Sequence, residues 1–309
     1  MKIRFWLLDG EDDPTPRHRG VNVYNRMQEL GINADKWNQG EQCDIIVVQY
    51  DYHRLEIARK YASHVIFDCN DMTWKYPNDA TEYFLGRVTT FADYITCGSA
   101  YLAAHLQGLV DVPCSYITEP ADVSYDPVQR EPDGKTIFWM GMPHNICYFS
   151  HIVPEIHRIC TEYGMQMVCL CTKEDRKQVE EFGFVWEEWS IENARKWLSV
   201  AEIGVCPYFQ NIWCWSKCAS KAAIMMTHGI PVVATSIPSY RDAIVDGESG
   251  MLASSPDDWY SKLRFLAGSM DNRVMVGEAG RERALKMFTV DRTVNMWKDV
   301  IYSVTGKRL

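Results

Sequence analysis

The sequence predicts an α/β chain made of two Rossmann-like, doubly wound parallel-sheet domains, and three observations carry that prediction. Short apolar runs alternate with stretches of helical spacing along most of the chain. One segment rich in Pro, Asp and Glu, Pro120 to Gly134, interrupts the alternation. The chain has 309 residues, 47% of them hydrophobic and 24% charged, which suits two cores of roughly 150 residues each. The expected domains are residues 1–127 and 128–288, followed by a last helical segment over 289–309.

In the first half, Lys2 to Leu8 alternates like a buried strand, and Val21 to Leu30 has helical spacing that Gly31 ends. Further strands are expected at Asp44 to Gln49, Val65 to Asp68 and Tyr94 to Thr96. Helices are expected between them at Leu55 to Tyr61, Thr81 to Phe91 and Ala100 to Gln107. Such alternation gives a parallel sheet covered on both faces. In open sheets of this kind, active groups gather at the carboxyl ends of strands. Three ends carry notable chemistry: the run from Asp9 through Arg17, His18 and Arg19; Gln49-Tyr-Asp-Tyr-His; and Asp68-Cys-Asn-Asp-Met. Each also reads as an ordinary polar loop.

The second half repeats the plan. Strands are expected at Lys135 to Met140, Met165 to Cys171, Val185-Trp and Ile203 to Cys206, the last leading into Tyr208. Helices are expected near Val153 to Tyr163, Glu174 to Phe182 and Ile191 to Val200, with a final one at Thr289 to Val304. Gly141, which ends the first of these strands, is either a simple turn or a point where backbone amides approach a phosphate or sugar.

Composition narrows the classes of function. A net charge of −9 argues against a surface devoted wholly to nucleic acid. The apolar start, Ile3 to Leu8, is too short for a membrane span or a signal segment, so a soluble cytoplasmic protein without membrane insertion is expected, in a host cytoplasm if the chain is viral. The eleven cysteines lie mostly within apolar strands or helices and read as buried reduced thiols. Cys214 and Cys218 lack a second pair at ligand spacing, and Asp68 and Asp71 lack the spacing of a metal clamp. No metal and no cofactor are expected.

The most informative stretch is Trp215 to Leu252. Ser216 reads as a helix cap, and Lys217 to Thr227 is a run without Gly or Pro that Gly229 can close. On that helix Lys217, Lys221, Ile224 and His228 share one stripe, while Ala222, Met225 and Met226 point into a core. A helix start already presents unpaired N–H groups and partial positive charge, so two lysines there suit a phosphate or diphosphate. The plainer reading is two solvated charges on an amphipathic helix.

The sequel to this helix favours the phosphate reading. Lys221-x-x-Ile224, then Gly229-Ile-Pro-Val-Val-Ala, then Arg241-Asp-Ala-Ile-Val-Asp-Gly-Glu-Ser-Gly-Met-Leu, resembles the donor-binding signature of the family 4 retaining glycosyltransferases of the GT-B fold. The resemblance extends to Asp257-Asp-Trp-Tyr and Gly277-Glu-Ala-Gly-Arg-Glu-Arg, and back to Ile137-Phe-Trp-Met-Gly-Met. It is specific over roughly residues 135 to 300 and weaker before them.

The resemblance implies transfer of a hexosyl or pentosyl group from a nucleotide-diphosphate sugar, a co-substrate rather than a cofactor, to an acceptor hydroxyl with retention of configuration. It places the donor in the second domain and the acceptor in the first, across a cleft, with the chain end crossing back onto the first domain. Lys221 and Lys217 then stabilise the departing diphosphate without a metal. Gly141, Met142, Trp186, Glu187, Tyr208, Ser216, Ser220 and Ile224 fall at donor-binding positions, with Trp186 or Glu187 lining the nucleobase slot and Trp189 left to the core. Arg17, His18 and Arg19 fit a mobile lid over donor phosphates or acceptor. Asp68 or Asp71 fits a group that orients or deprotonates the acceptor hydroxyl. The chain departs from the family where Ser216 and Ile224 replace its paired glutamates, which puts donor identity and ribose binding in doubt.

The acceptor stays open between a saccharide or small molecule and a hydroxylated base in viral DNA. For DNA, Arg17, His18, Arg19, Arg26, Arg54, Arg59, Lys60 and Lys75 make the first domain's loops locally basic. From another class, loss of both glutamates fits a non-catalytic module that binds nucleotides or glycans.

Overall fold

A computed structural model describes residues 1–8, 13–72, 81–121, 129–142 and 145–309. Asp9 to Asp12, Lys75 and the linker positions Asp122, Asp126 and Pro127 lie outside the described residues. The chain divides into two compact units. The first holds Met1–Ala121, Trp215–Cys218 and Phe288–Leu309, and the second holds Asp122–Cys214 and Ala219–Met287.

The first unit is built on six parallel strands: β1 (Ile3–Trp6), β2 (Ala34–Lys36), β3 (Cys43–Gln49), β4 (Ala62–Cys69), β5 (Tyr94–Cys97) and β6 (Cys114–Tyr116). Their spatial order is β2-β1-β3-β4-β5-β6. The order reverses beside β1, so the crevice typical of such sheets opens at the carboxyl ends of β1 and β3. Helices Thr81–Phe91 and Ala100–Gln107 stand where apolar spacing placed them. The second starts at Ser99, whose hydroxyl accepts the Leu102 N–H, a side-chain cap.

The last helix, Val290–Thr305, belongs to this unit. Its Val294, Trp297, Val300 and Ile301 pack with Ile3, Phe5 and Val23 in one apolar cluster, and Trp297 meets Phe5 edge-on at 5.6 Å. A buried Trp of this kind contributes a large share of the burial energy of so small a contact.

The second unit repeats the design with β7 (Thr136–Met140), β8 (Gln166–Cys171), β9 (Val185–Glu188), β10 (Ile203–Cys206), β11 (Val232–Thr235) and β12 (Met251–Ala253), in the order β12-β11-β10-β7-β8-β9. Here the order reverses between β7 and β10, which sets the crevice at Met140 to Met142 and Cys206 to Tyr208. Its core gathers Trp139, Phe149, Ile203, Val233 and Trp259. Helices Val153–Tyr163 and Ile191–Val200 occupy the expected positions. Gly164 and Gly229 take left-handed backbone at φ 63° and 71°, the conformation that closes a helix with least strain in glycine.

Several expectations change. The helix expected from Lys217 begins only at Ser220 and runs to Thr227, with Ala219 at its cap position. Ser216 is therefore not a cap. It is buried, and its carbonyl accepts the Ser99 hydroxyl at 2.7 Å. Ile224 and His228 are buried rather than set on an open stripe, and Trp189 is half-buried rather than core. Three three-residue strands, β2, β6 and β12, were too short to show as periodic segments.

Candidate functional site in each unit

In the second unit, β10 ends at Cys206 and the chain passes through Tyr208 before entering the helix Ser220–Thr227. Tyr208 is buried. Its N–H donates to the Thr235 hydroxyl at 2.8 Å, which fixes it against the end of β11. Its ring stacks on Tyr240 and meets Tyr148 edge-on. Lys221, in the first turn of the helix, donates to the Tyr208 hydroxyl at 2.9 Å, with its ammonium 5.1 Å from the ring centroid. Among the described residues Lys221 has no carboxylate partner.

A half-buried ammonium held on an aromatic hydroxyl at a helix start, beside the reversal of strand order, is a cation without its counter-ion. Ser220, the first residue of the same helix, is half-exposed beside it. Ile224 lies inward and offers no polar atom. Burial raises the Cys206 thiol to about 12 despite the nearby Lys221 charge, so it is no nucleophile near neutrality.

Gly141 follows β7, but its N–H donates to the Leu170 carbonyl at 3.1 Å and is not offered to a ligand. A glycine is required because a Cβ would overlap the Trp139 ring. Met142 is exposed beside it. Trp186 and Glu187 lie on the edge strand β9, both half-buried. The Trp186 indole N–H is 3.4 Å from the Thr172 carbonyl, and the Arg176 guanidinium covers its ring at 4.9 Å.

In the first unit the expected mobile basic lid is a buried turn. Arg17 to Val21 form a single π-helical turn in which Arg17, His18 and Arg19 are buried. Arg19 grips Asp68 through two bonds, 3.0 Å from Nε and 2.6 Å from Nη2, and donates to the Ile117 carbonyl. Asp68 also accepts the Thr96 hydroxyl at 2.7 Å. Burial alone would lower the arginine's pKa, but the Asp68 charge and hydrogen bonds raise it overall. Asp68 is thus occupied on both oxygens and is corrected from a candidate base to a structural anchor.

His18 Nδ1 lies 2.8 Å from Glu119, whose other oxygen accepts the Asn70 amide at 3.2 Å. Burial pushes the Glu119 carboxyl up, yet the hydrogen bond and charge of His18, with Arg19, hold it below its usual value. Gly98 is obligatory here, because a Cβ would overlap the Asn70 amide.

Asp71 is the more exposed carboxylate of this end, with about 21% of its side chain open to solvent where Asp68 is buried. Lys217 donates to one oxygen at 2.6 Å, and the Tyr50 hydroxyl to the other at 3.2 Å. Lys217 precedes the helix Ser220–Thr227 that carries Lys221, so the two do not share a helix face. Tyr50 was not among the expected site residues. Among the described residues it is the one non-glycine with positive φ, 64°, at the carboxyl end of β3, a costly conformation that clusters at functional sites. The only signal for it was its place in the polar strand end Gln49-Tyr-Asp-Tyr-His.

The basic residues expected to meet nucleic acid are mostly engaged. Arg26 pairs with Glu29 and Asp291, Arg54 with Asp51 and Arg59 with Asp93. Among the described residues, no group of three or more His, Cys, Asp or Glu side chains is placed to hold a metal, and no helix is long and apolar enough to cross a membrane. The eleven cysteines are free thiols.

Residues 134–268 match the family model described as glycosyl transferases group 1. Solved structures with the same fold include HepE from Anabaena in complex with UDP and glucose, 10% identical over 98% of this chain and 100% of that one, TM-score 0.74. A glycosyltransferase from Rickettsia africae is 11% identical over 98% of each chain, TM-score 0.70. Sucrose-phosphate synthase from Thermosynechococcus elongatus is 10% identical over 97% of this chain and 81% of that one, TM-score 0.63. No curated protein matches the sequence significantly. The chain has the GT-B fold, and its residues 134–268 match the family model of the glycosyl transferases of group 1.

Proposed function

We propose that the protein is a glycosyltransferase that moves a sugar from a nucleotide-diphosphate sugar to an acceptor hydroxyl, with retention and without a metal ion. The observation that carries this reading is Lys221, a half-buried ammonium in the first turn of a helix at the strand-order reversal of the second unit, resting on Tyr208 with no carboxylate partner among the described residues. Charge grows on the diphosphate as the bond from C1 to its oxygen breaks, and a pre-placed cation with a helix start stabilises that charge more than the ground state. The bond from C1 to the acceptor oxygen forms as the diphosphate leaves, and the hydroxyl proton passes to a departing phosphate oxygen.

Met142, Ser220, Trp186 and Glu187 are proposed to contact the donor. Ribose binding falls to groups other than Ile224, which is apolar and buried. In the first unit, Asp71 is proposed to orient the acceptor hydroxyl, with Lys217 and Tyr50 holding its two oxygens. Lys217 therefore acts through Asp71 rather than on the diphosphate. HepE was solved with UDP and glucose, which supports a uridine donor carrying a hexose. A saccharide or small molecule is favoured as acceptor, since Arg19, Arg26, Arg54 and Arg59 of the first unit are engaged in ion pairs.

Incubation with UDP-, GDP- and TDP-sugars, with mass spectrometry of the products, tests the reading. Release of nucleotide diphosphate that rises with a saccharide acceptor supports it, and insensitivity to chelator supports the metal-free form. Tight nucleotide binding without turnover on any donor would leave a binding module. Transfer only to hydroxylated duplex DNA, steeply weakened by salt, would assign the acceptor to nucleic acid instead.

A further inference from the structure

The second unit has a cavity of about 440 Å³ at the edge of its sheet opposite Lys221. Gly134, Glu202 and Pro231, each just before β7, β10 or β11, place it at the amino ends of those strands. Three arginines line it: Arg130, Arg273 and Arg281.

Their charges are not equally compensated. Arg273 Nε meets Glu202 at 2.6 Å and its Nη1 donates to the Leu266 and Ala267 carbonyls. The other Glu202 oxygen accepts the Gly134 N–H at 2.7 Å. That pair neutralises itself. Arg130 differs. Its Nη1 donates to the Leu198 and Ala201 carbonyls at 2.9 and 2.6 Å, which fixes the guanidinium. Among the described residues its Nε and Nη2 have no protein partner, nor does the guanidinium of Arg281.

Burial lowers the Arg130 pKa, and the more distant Glu202 and Asp133 offset this only in part. Glu278, exposed on the rim and without a partner among the described residues, offsets one of the two remaining positive charges. Met270 and Val274, both exposed, supply an apolar wall. A fixed fork of N–H donors matches phosphate geometry, and the volume exceeds what inorganic phosphate alone fills.

We infer that this cavity binds a small organic phosphate, its phosphoryl group held by Arg130 and Arg281 and its apolar part laid on Met270 and Val274. The site is separate from the donor reading, which places its diphosphate at Lys221.

Titration calorimetry on the full chain tests it, with phenyl phosphate as probe, inorganic phosphate as the bare anion and phenol as the neutral control. One saturable site for phenyl phosphate is expected, with inorganic phosphate weaker by about tenfold or more, the scale of burying a ring. Arg281→Ser, an exposed change that leaves the fold intact, should weaken phenyl phosphate about tenfold by removing a charged hydrogen-bond donor, and Arg130→Gln at least as much. Lys221→Ala should leave this affinity unchanged. No saturable binding, phenol binding as tight as phenyl phosphate, or binding lost in Lys221→Ala but kept in Arg281→Ser would each overturn the assignment.

Discussion

The carboxyl ends of the two sheets use charge in opposite ways. In the first unit, Arg19 with Asp68 and His18 with Glu119 are buried pairs whose hydrogen-bonding groups are filled from within, by Thr96, Asn70 and the Ile117 carbonyl. In the second unit, Lys221 has an aromatic hydroxyl beneath it and no counter-charge among the described residues. The same sheet architecture thus yields a closed electrostatic lock in one unit and an open cation in the other. A charge already matched inside the protein holds structure, whereas an unmatched one at a strand-order reversal is available to a ligand.

The largest effect that would sharpen this contrast is on stability. Arg19→Met removes the charge partner of the buried Asp68 carboxylate and should cost about 3–5 kcal/mol in denaturant unfolding. The same substitution should leave nucleotide affinity unchanged in the protein that remains folded. A loss under about 1 kcal/mol would remove the lock from the account.

A middle-sized effect concerns pH. Despite burial, the His18 hydrogen bond and charge hold the Glu119 carboxyl below the usual carboxylate range, so its contribution is present above that range and is lost as pH falls through the lower folded value. Glu119→Gln should therefore be less stable than the parent by about 2 kcal/mol at pH 7, the scale of a charged hydrogen bond. The gap should close as the pH falls into the acid range. A gap that persisted in acid would show that packing, not ionisation, carries the difference.

The smallest effect probes the open end. Tyr208→Phe keeps the ring and removes the hydroxyl under Lys221, so the ammonium stays near its place with one bond fewer. Steady-state kinetics should show a loss of only about threefold, within the net value of one hydrogen bond. A loss as large as that of Lys221→Ala would make the hydroxyl a participant rather than a support.

Much of the scaffold was legible in the sequence. Thr81–Phe91, Ala100–Gln107, Val153–Tyr163 and Ile191–Val200 were found at their ends because local signals mark them: caps at Ser99 and Ser190, Pro154 in a first turn, Gly164 beyond a last one. The strand β2, Ala34–Lys36, was not legible, because its only buried side chain is Ala34 and its register comes from β1. Nor was the fate of Arg17, His18 and Arg19. Their run reads as solvated, and the carboxylates that bury Arg19 and His18 stand 49 and 101 positions away.

The helix and strand around Lys221, Gly229 and Pro231 were the most readable local structure, since these residues are close in sequence. The helix start was misplaced by three residues, because Ser216 and Lys217 are drawn to Ser99 and Asp71 of the first unit. Tyr50 was missed for a related reason. Its conformation is set by the end of β3 and by Asp71, not by a residue type that favours positive φ.

The central claim is that Lys221 is an open cation that carries a departing diphosphate. Its most direct test is Lys221→Ala, measured as turnover of the best nucleotide sugar beside thermal unfolding. The account predicts turnover reduced at least about a hundredfold with the melting transition unchanged. Turnover within a few-fold of the parent, with the same transition, would contradict it.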